Sequence, residues 1–267
     1  MKKVIKITAV LLAFMLILCS CTGEPKEETL TDIALSAANG QKTLYGVKAK
    51  GEILSLPEFT PGLSVCDWTA LAFKELGIDE DYEEYLEGLE AFVTKAYATE
   101  TKLSSTKATE WHRMIIVASA LGADATAFGN NPDGSKINLV ADGVYNYVNG
   151  DLSSQGINAF IYALLALDCK GYEVPEGSTY TRESIIENIL ALQMENGAFG
   201  FMDTPSADIT GMALQALAPY TDEAKVRSAI DKAVTYLSES QNGNGSYSSM
   251  DVETSESIAQ VVNGLAC

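Results

Sequence analysis

The sequence predicts an all-α fold of stacked helical hairpins, one set of helices packing inside the other. Three observations carry this. A 48-residue unit recurs near the C-terminal end. Ala- and Leu-rich helical stretches alternate with more charged ones. No stretch shows sustained strand alternation. Val47 to Leu56 (VKAKGEILSL) is the weak exception, and Gly51 within it argues against a strand.

The repeat is direct. An offset of 48 maps Gln193 to Gln241, Gly197 to Gly245, Phe199 to Tyr247, Asp208 to Glu256, Gln215 to Asn263 and Leu217 to Leu265, without a gap. Each unit has the same parts: a helix ending near the Gln, a Gly-rich turn, an aromatic two residues on, a polar loop, and a helix opened by an acid. The glycines supply positive-φ positions. The acids sit where the helix dipole favours negative charge. Such units stack and stabilise one another only as neighbours. Gln193, Gly197, Gln241 and Gly245 therefore read as turn residues: the Gln amide caps backbone groups and the aromatic packs beneath.

Taken in chain order, Trp68 to Leu76 (WTALAFKEL) is the first apolar helix and ends at Gly77. Tyr82 to Tyr97 is a polar one. Trp111 to Leu121 (WHRMIIVASAL) ends at Gly122, and Ile137 to Tyr147 reads as another polar helix. Asn158 to Leu167 (NAFIYALLAL) is the most apolar, closing at a Gly171-Tyr172 turn. Thr181 to Leu192 follows. Ile209, Met212, Ala213, Ala216 and Leu217 then fall on one helical stripe. Asp222 to Ser238 is the last polar helix. The chain stops at Gly264-Leu265-Ala266-Cys267, inside the helix the repeat predicts, with no cap or charged tail.

The N-terminus reads as an address. Lys2, Lys3 and Lys6 precede an apolar run from Ile7 to Cys19. At about 13 residues the run suits a signal peptide and is too short to span a bilayer. Leu18-Cys19-Ser20-Cys21 resembles a bacterial lipobox, which makes Cys21 the expected lipidation site. The sequence thus divides into a signal peptide (1–20), a tether and N-terminal segment (21–60) and a helical repeat domain (61–267). The expected location is the outer face of a bacterial cell membrane, held there by the N-terminal lipid alone.

The chain carries 18 Lys+Arg against 36 Asp+Glu, a formal charge of −18. That argues against a nucleic-acid partner, since phosphate binding needs clustered cations. Signal cleavage removes three lysines and no acid, making the exported form more acidic still. Beyond Cys19 and Cys21 remain Cys66, Cys169 and Cys267, without zinc spacing. They read as small buried apolar residues, with a Cys66–Cys169 disulfide left open. No metal or cofactor is expected.

The Gln-x3-Gly-x-Phe/Tyr turns and the DITGMALQAL helix (Asp208 to Leu217) resemble the prenyltransferase and squalene-cyclase repeat superfamily. The likeness runs from about Cys66 to Cys267 and is greatest to secreted clostridial lipoproteins of that group. It implies an α/α toroid, an inner ring of helices inside an outer ring. Terpene cyclases, protein prenyltransferase β subunits, complement thioester domains and vitamin B12 carriers share that fold, so fold alone does not select the function. The helices from Trp68 make about four and a half hairpins where closed rings of this group have roughly six. The expected ring is therefore incomplete, truncated at its C-terminal end.

The enzymatic motifs implied by the resemblance do not occur. There is no Asp-x-Asp-Asp acid, no Asp/Cys/His zinc set around the single His112, and no thioester site. The acid run Asp79 to Glu84 reads as a solvated helix start and not a Mg²⁺ site. Asn130 to Ser135 reads as a turn, because its Gly is misplaced for a calcium loop. Trp68, Trp111, His112, Tyr162, Phe199, Asp208, Tyr247 and Glu256 are the candidate ligand-facing residues. Aromatics suit stacking on an amphipathic ligand, and the B12-carrier relatives make a corrinoid or an isoprenoid the concrete expectation. Three functions stay open: a non-catalytic surface ligand-binding protein, which leads; a cyclase- or prenyltransferase-like enzyme; and an adhesive repeat module. The sequence names no protein partner.

Overall fold

The computed structural model describes residues 29–48, 51–249 and 252–267. They are mostly helical, 56% helix with a few short strands and no barrel, which makes the protein all-α. Cys21 and the signal segment lie outside the described residues. No described helix is long and apolar enough to cross a membrane.

The helices are α1 (Leu30–Leu44), α2 (Ser64–Glu75), α3 (Tyr82–Tyr97), α4 (Thr109–Ala120), α5 (Ile157–Asp168), α6 (Arg182–Ala191), α7 (Ala207–Leu217), α8 (Ala224–Ser240) and α9 (Ser255–Ala266). Helix α1 opens on a reciprocal cap. Thr29 Oγ1 accepts from Asp32 N, and Asp32 Oδ2 accepts from Thr29 N at 3.0 Å. It docks through Gln41, whose Nε2 donates to Thr69 Oγ1 at 3.1 Å, and through Lys42.

The apolar helices α2, α4, α5, α7 and α9 form a row, each packed on the next. The more polar α3, α6 and α8 each pack on a member of that row. Burial follows the same division. In α8 only Val226, Ala229, Ala233 and Leu237 are buried, a single stripe. In α5 eight residues, including Phe160, Ile161, Leu164 and Leu167, are buried on most sides. Each large side chain so buried contributes about 1.5–3 kcal/mol. Helices α7 and α9 meet backbone to backbone. A Cβ at Gly211 would collide with Gln260 O, and one at Gly264 with Gly211 O. Only glycine lets them approach so closely.

Each of the last two units places a two-stranded antiparallel hairpin before its apolar helix. β1 (Gly200–Phe201) pairs with β2 (Thr204–Pro205), and β3 (Ser248–Ser249) with β4 (Val252–Glu253). These strands are too short for alternation to reveal them.

Three expectations are corrected. Ile137 to Tyr147 is helical only from Leu139 to Tyr145, and most of that stretch, Ala141–Tyr145, is a π-helical turn. Asn138 Oδ1 accepts from Ala141 N at 2.8 Å and starts that turn, while Gly143 is pressed against the Trp111 side chain, leaving no room for a Cβ at that position. The acid run at 79–84 is not uniformly solvated. Glu80 is buried, its Oε1 2.6 Å from Lys42 Nζ, and its Oε2 accepts from the N–H groups of Ile53 and Leu54. Only Asp81, which caps α3 through Glu84 N, and its exposed neighbours behave as a helix start. Cys169 and Cys267 are exposed, whereas Cys66 is buried, and all three are free thiols. In line with the argument from Gly51, the described part of Val47 to Leu56 holds turns and no strand.

Candidate functional site

Trp68 on α2 and Tyr162 on α5, the helices that flank α4 in the row, meet with their rings 6.4 Å apart. Both are half-buried. Tyr162 Oη donates to Met212 Sδ on α7 at 3.4 Å, bringing a third helix into the same face. Further along, Gln215 Nε2 on α7 donates to Gln260 Oε1 on α9 at 3.1 Å. Desolvation pushes the Tyr162 phenol above its ordinary pKa.

One helical turn toward the N-termini of α5 and α7 lie Asn158 and Asp208. Each is the second residue of its helix and four residues before Tyr162 or Met212 respectively. Residues four apart share a helix face. Asn158 Oδ1 and Asp208 Oδ1 are both buried and have no hydrogen-bond partner among the described residues. An acceptor in that state costs about 1–3 kcal/mol. Glu256 is the second residue of α9, also half-buried, and accepts from Ser255 Oγ.

Behind this face sits a buried charge cluster. Asp67 accepts from Gly62 N and Tyr85 Oη on Oδ1, and from Arg113 Nε on Oδ2, each within 2.9 Å. Arg113 also reaches Gly62 O at 2.9 Å and Glu110 at 2.7 Å. Burial pushes the Asp67 carboxyl above its ordinary pKa, with Gly62 N–H, Tyr85 and Arg113 pulling the other way. The cluster joins α2, α3 and α4, and it engages Nε and Nη2 of the guanidinium.

The other sequence candidates lie elsewhere. Trp111 is buried, donates from Nε1 to Tyr97 Oη at 2.7 Å and packs edge-on against Tyr147. His112 is wholly buried, with Nε2 2.8 Å from Gly143 O. A carbonyl can only accept, so Nε2 carries the proton, and Nδ1 is left without a partner among the described residues. Burial holds the His112 pKa down to about 4, so the ring is neutral. Both residues fasten the π turn to α4. Phe199 is buried in its turn, its N–H and carbonyl both bonded to Thr210 Oγ1. Tyr247, in the corresponding turn, is buried too.

The turn residues form the same ring twice. Gly197 (φ 86°) donates to Met194 O, and Gly245 (φ 83°) to Asn242 O. Gln193 Nε2 donates to Gly197 O at 3.0 Å and to Ala229 O of α8 at 2.7 Å, tying the turn to the next polar helix. Gln241 makes only the first of these bonds, at 3.1 Å to Gly245 O. Asn131 to Ser135 closes the same turn around Gly134 (φ 85°), a third copy the sequence shows only as a generic Asn-Pro/Asp-Gly turn.

The face thus unites Trp68 and Tyr162, and sets Asp208 and Glu256 at matching places on neighbouring helices. Trp111, His112, Phe199 and Tyr247 are fastened within the packing. Asn158, Met212, Gln215 and Gln260 escaped the sequence reading. Their signal was there: Asn158, Tyr162 and Leu165 match Asp208, Met212 and Gln215 at a 50-residue offset, two longer than the repeat spacing. Among the described residues no group of three or more His, Cys, Asp or Glu side chains converges as a metal site requires. Compared with known proteins, the chain matches no family model and no curated sequence.

Proposed function

We propose that the protein is a non-catalytic small-molecule-binding protein built as an α/α toroid, with the concave side of the α2–α4–α5–α7–α9 row as its binding wall. The observation that carries the reading is the meeting of Trp68, Tyr162 and Met212 from three helices on one half-buried face. Aromatic and thioether groups there present a polarisable surface to an amphipathic ligand. The lipobox-like Cys21 supports display at the outer face of the membrane, and the acidic charge supports a partner other than nucleic acid. A corrinoid and an isoprenoid are the two ligand classes to test first. A thermal-shift screen, repeated by native mass spectrometry, checks this on the full mature protein. One class is expected to raise the melting temperature and to lose that effect in Trp68→Ala. No binding by either class removes both candidates.

A second reading, a cyclase-like enzyme, draws on Asp208, a half-buried carboxylate on the same face. It predicts turnover of an alkene substrate that Asp208→Asn abolishes while binding persists. Binding without turnover in the parent protein rejects it.

A further inference from the structure

We propose that the two β-hairpins form a docking surface for a protein partner, one that presents apolar side chains among lysines or arginines. This surface is independent of any small molecule held by the helix row.

Exposure and backbone strain are the first ground. The two-residue loop Met202-Asp203 joins β1 to β2. Met202 is 81% exposed, Phe201 beside it 57%, and Val252 at the start of β4 61%. Single apolar side chains on a surface are ordinary. A methionine with φ 52° is not. An L residue in the left-handed region brings its Cβ against the following carbonyl oxygen, and two-residue hairpin loops favour Gly, Asn or Asp there. Lys102 is the other non-glycine residue in that region among the described residues, and its side chain is used in an ion pair with Asp142. At its exposure, Met202 has no comparable use within the fold. A strained residue whose side chain stands in solvent points to a contact outside the chain.

Recurrence is the second ground. The offset of 48 pairs Met202-Asp203 with Met250-Asp251, which lie outside the described residues. The flanking strand residues change between the units: Phe201 becomes Ser249, Thr204 becomes Val252 and Pro205 becomes Glu253. The Met-Asp pair stays. β1 and β3 both pack on α7, so the hairpins stand against one helix. Methionine is flexible and polarisable, and it adapts to the surface it meets.

Charge selects the partner. No Lys or Arg occurs from Glu183 to Ala224 or from Ala233 to Cys267. Asp203 follows Met202 and Glu253 follows Val252, and both acids are exposed. Glu253 is met by the Asn244 amide. Lys232 of α8 lies against Gly197 at the foot of the first hairpin, and it forms no ion pair with either hairpin among the described residues. A second copy of this chain would bring acids to acids, and an anionic bilayer would repel the same tips. A polypeptide carrying both apolar and cationic side chains complements them.

Titration of the mature protein with four probes tests this: a short amphipathic helical peptide of Leu and Lys, its counterpart with Glu for Lys, polylysine, and phosphatidylcholine vesicles. The Leu/Lys peptide is expected to bind, and the Leu/Glu peptide and the vesicles are not. Met202→Asn places a residue that the loop backbone favours. It is expected to keep or raise the melting temperature while weakening the Leu/Lys peptide about tenfold, and Phe201→Ser to weaken it further. Polylysine, which reads charge alone, is expected to bind parent and variants equally. Equal affinity of parent and Met202→Asn for the Leu/Lys peptide, or no binding of that peptide by the parent, overturns the proposal. So does vesicle binding that Met202→Asn abolishes, which would assign the tips to lipid. A lower melting temperature in Met202→Asn overturns it too, because the methionine would then serve the fold.

Discussion

His112 is the chain's only histidine, and its burial turns it into a pH-dependent source of stability. Its folded pKa, about 4, lies below the ordinary 6.5. Between those values the unfolded chain binds the proton and the folded one does not, so stability is fully present above pH 6.5 and falls as the pH drops toward 4. The span of the shift sets the loss at about 3 kcal/mol. Urea unfolding at pH 7 and pH 4.5 should show the decline, and His112→Gln should flatten it. Asp67, raised by burial, acts with the opposite sign, so the difference between parent and variant isolates the histidine. Gln193 and Gln241 make a second comparison. Gln193→Ala removes two bonds, one reaching α8, and is expected to cost about 1–3 kcal/mol. Gln241→Ala removes one exposed bond and is expected to cost less, by the same urea midpoint measurement. Equal costs would mean that the tie to α8 contributes nothing.

At the scale of elements, the closest approach is that of α7 and α9. Gly211→Ala puts a methyl group against the Gln260 carbonyl, backbone that has nowhere to retreat. The expected loss is about 1–3 kcal/mol, with a lower thermal midpoint. Gly77→Ala, whose Cβ meets open space, tests a different penalty, that of positive φ without a clash. A milder effect at Gly211 than at Gly77 would reject close packing as the reason for the glycine. Most helices were legible because apolar period and turn glycines agree: Tyr82–Tyr97 matches its expected bounds, and Asn158–Leu167 falls one residue short at each end. Helix α1 was passed over, although Thr29 and Asp32 spell its capping box. The stretch 137–147 is helical only over 139–145, and its pattern carries no trace of Trp111, whose side chain leaves no room for a Cβ at Gly143.

At the scale of the whole molecule, the proposed membrane attachment and the proposed ligand binding can be tested separately. Cys21→Ser is expected to move the protein from the membrane fraction to the soluble exported fraction, followed by immunoblot, without altering ligand binding by the proposed face. Retention of the variant in the membrane would reject the lipid anchor. The candidate site was half legible. Trp68, Tyr162, Asp208 and Glu256 stood out by residue type and repeat position. Nothing in their spacing separates them from Trp111 and Phe199, which are equally aromatic and wholly buried.

The sequence by itself determined the all-α class, the recurring turn chemistry and the alternation of apolar with polar helices. These depend on residues close along the chain, where helical period, glycine conformation and capping act locally. Only the tertiary structure decided that Trp68, Tyr162 and Met212 meet and that the buried oxygens of Asn158 and Asp208 lack donors among the described residues. It also decided that Glu80 is a buried ion-pair partner and that Arg113 pairs with Asp67. Those outcomes depend on contacts such as Lys42 to Glu80, Asp67 to Arg113 and Trp68 to Tyr162, between residues far apart in the chain. Such distances carry no periodic signature, and they are set only when the helices pack.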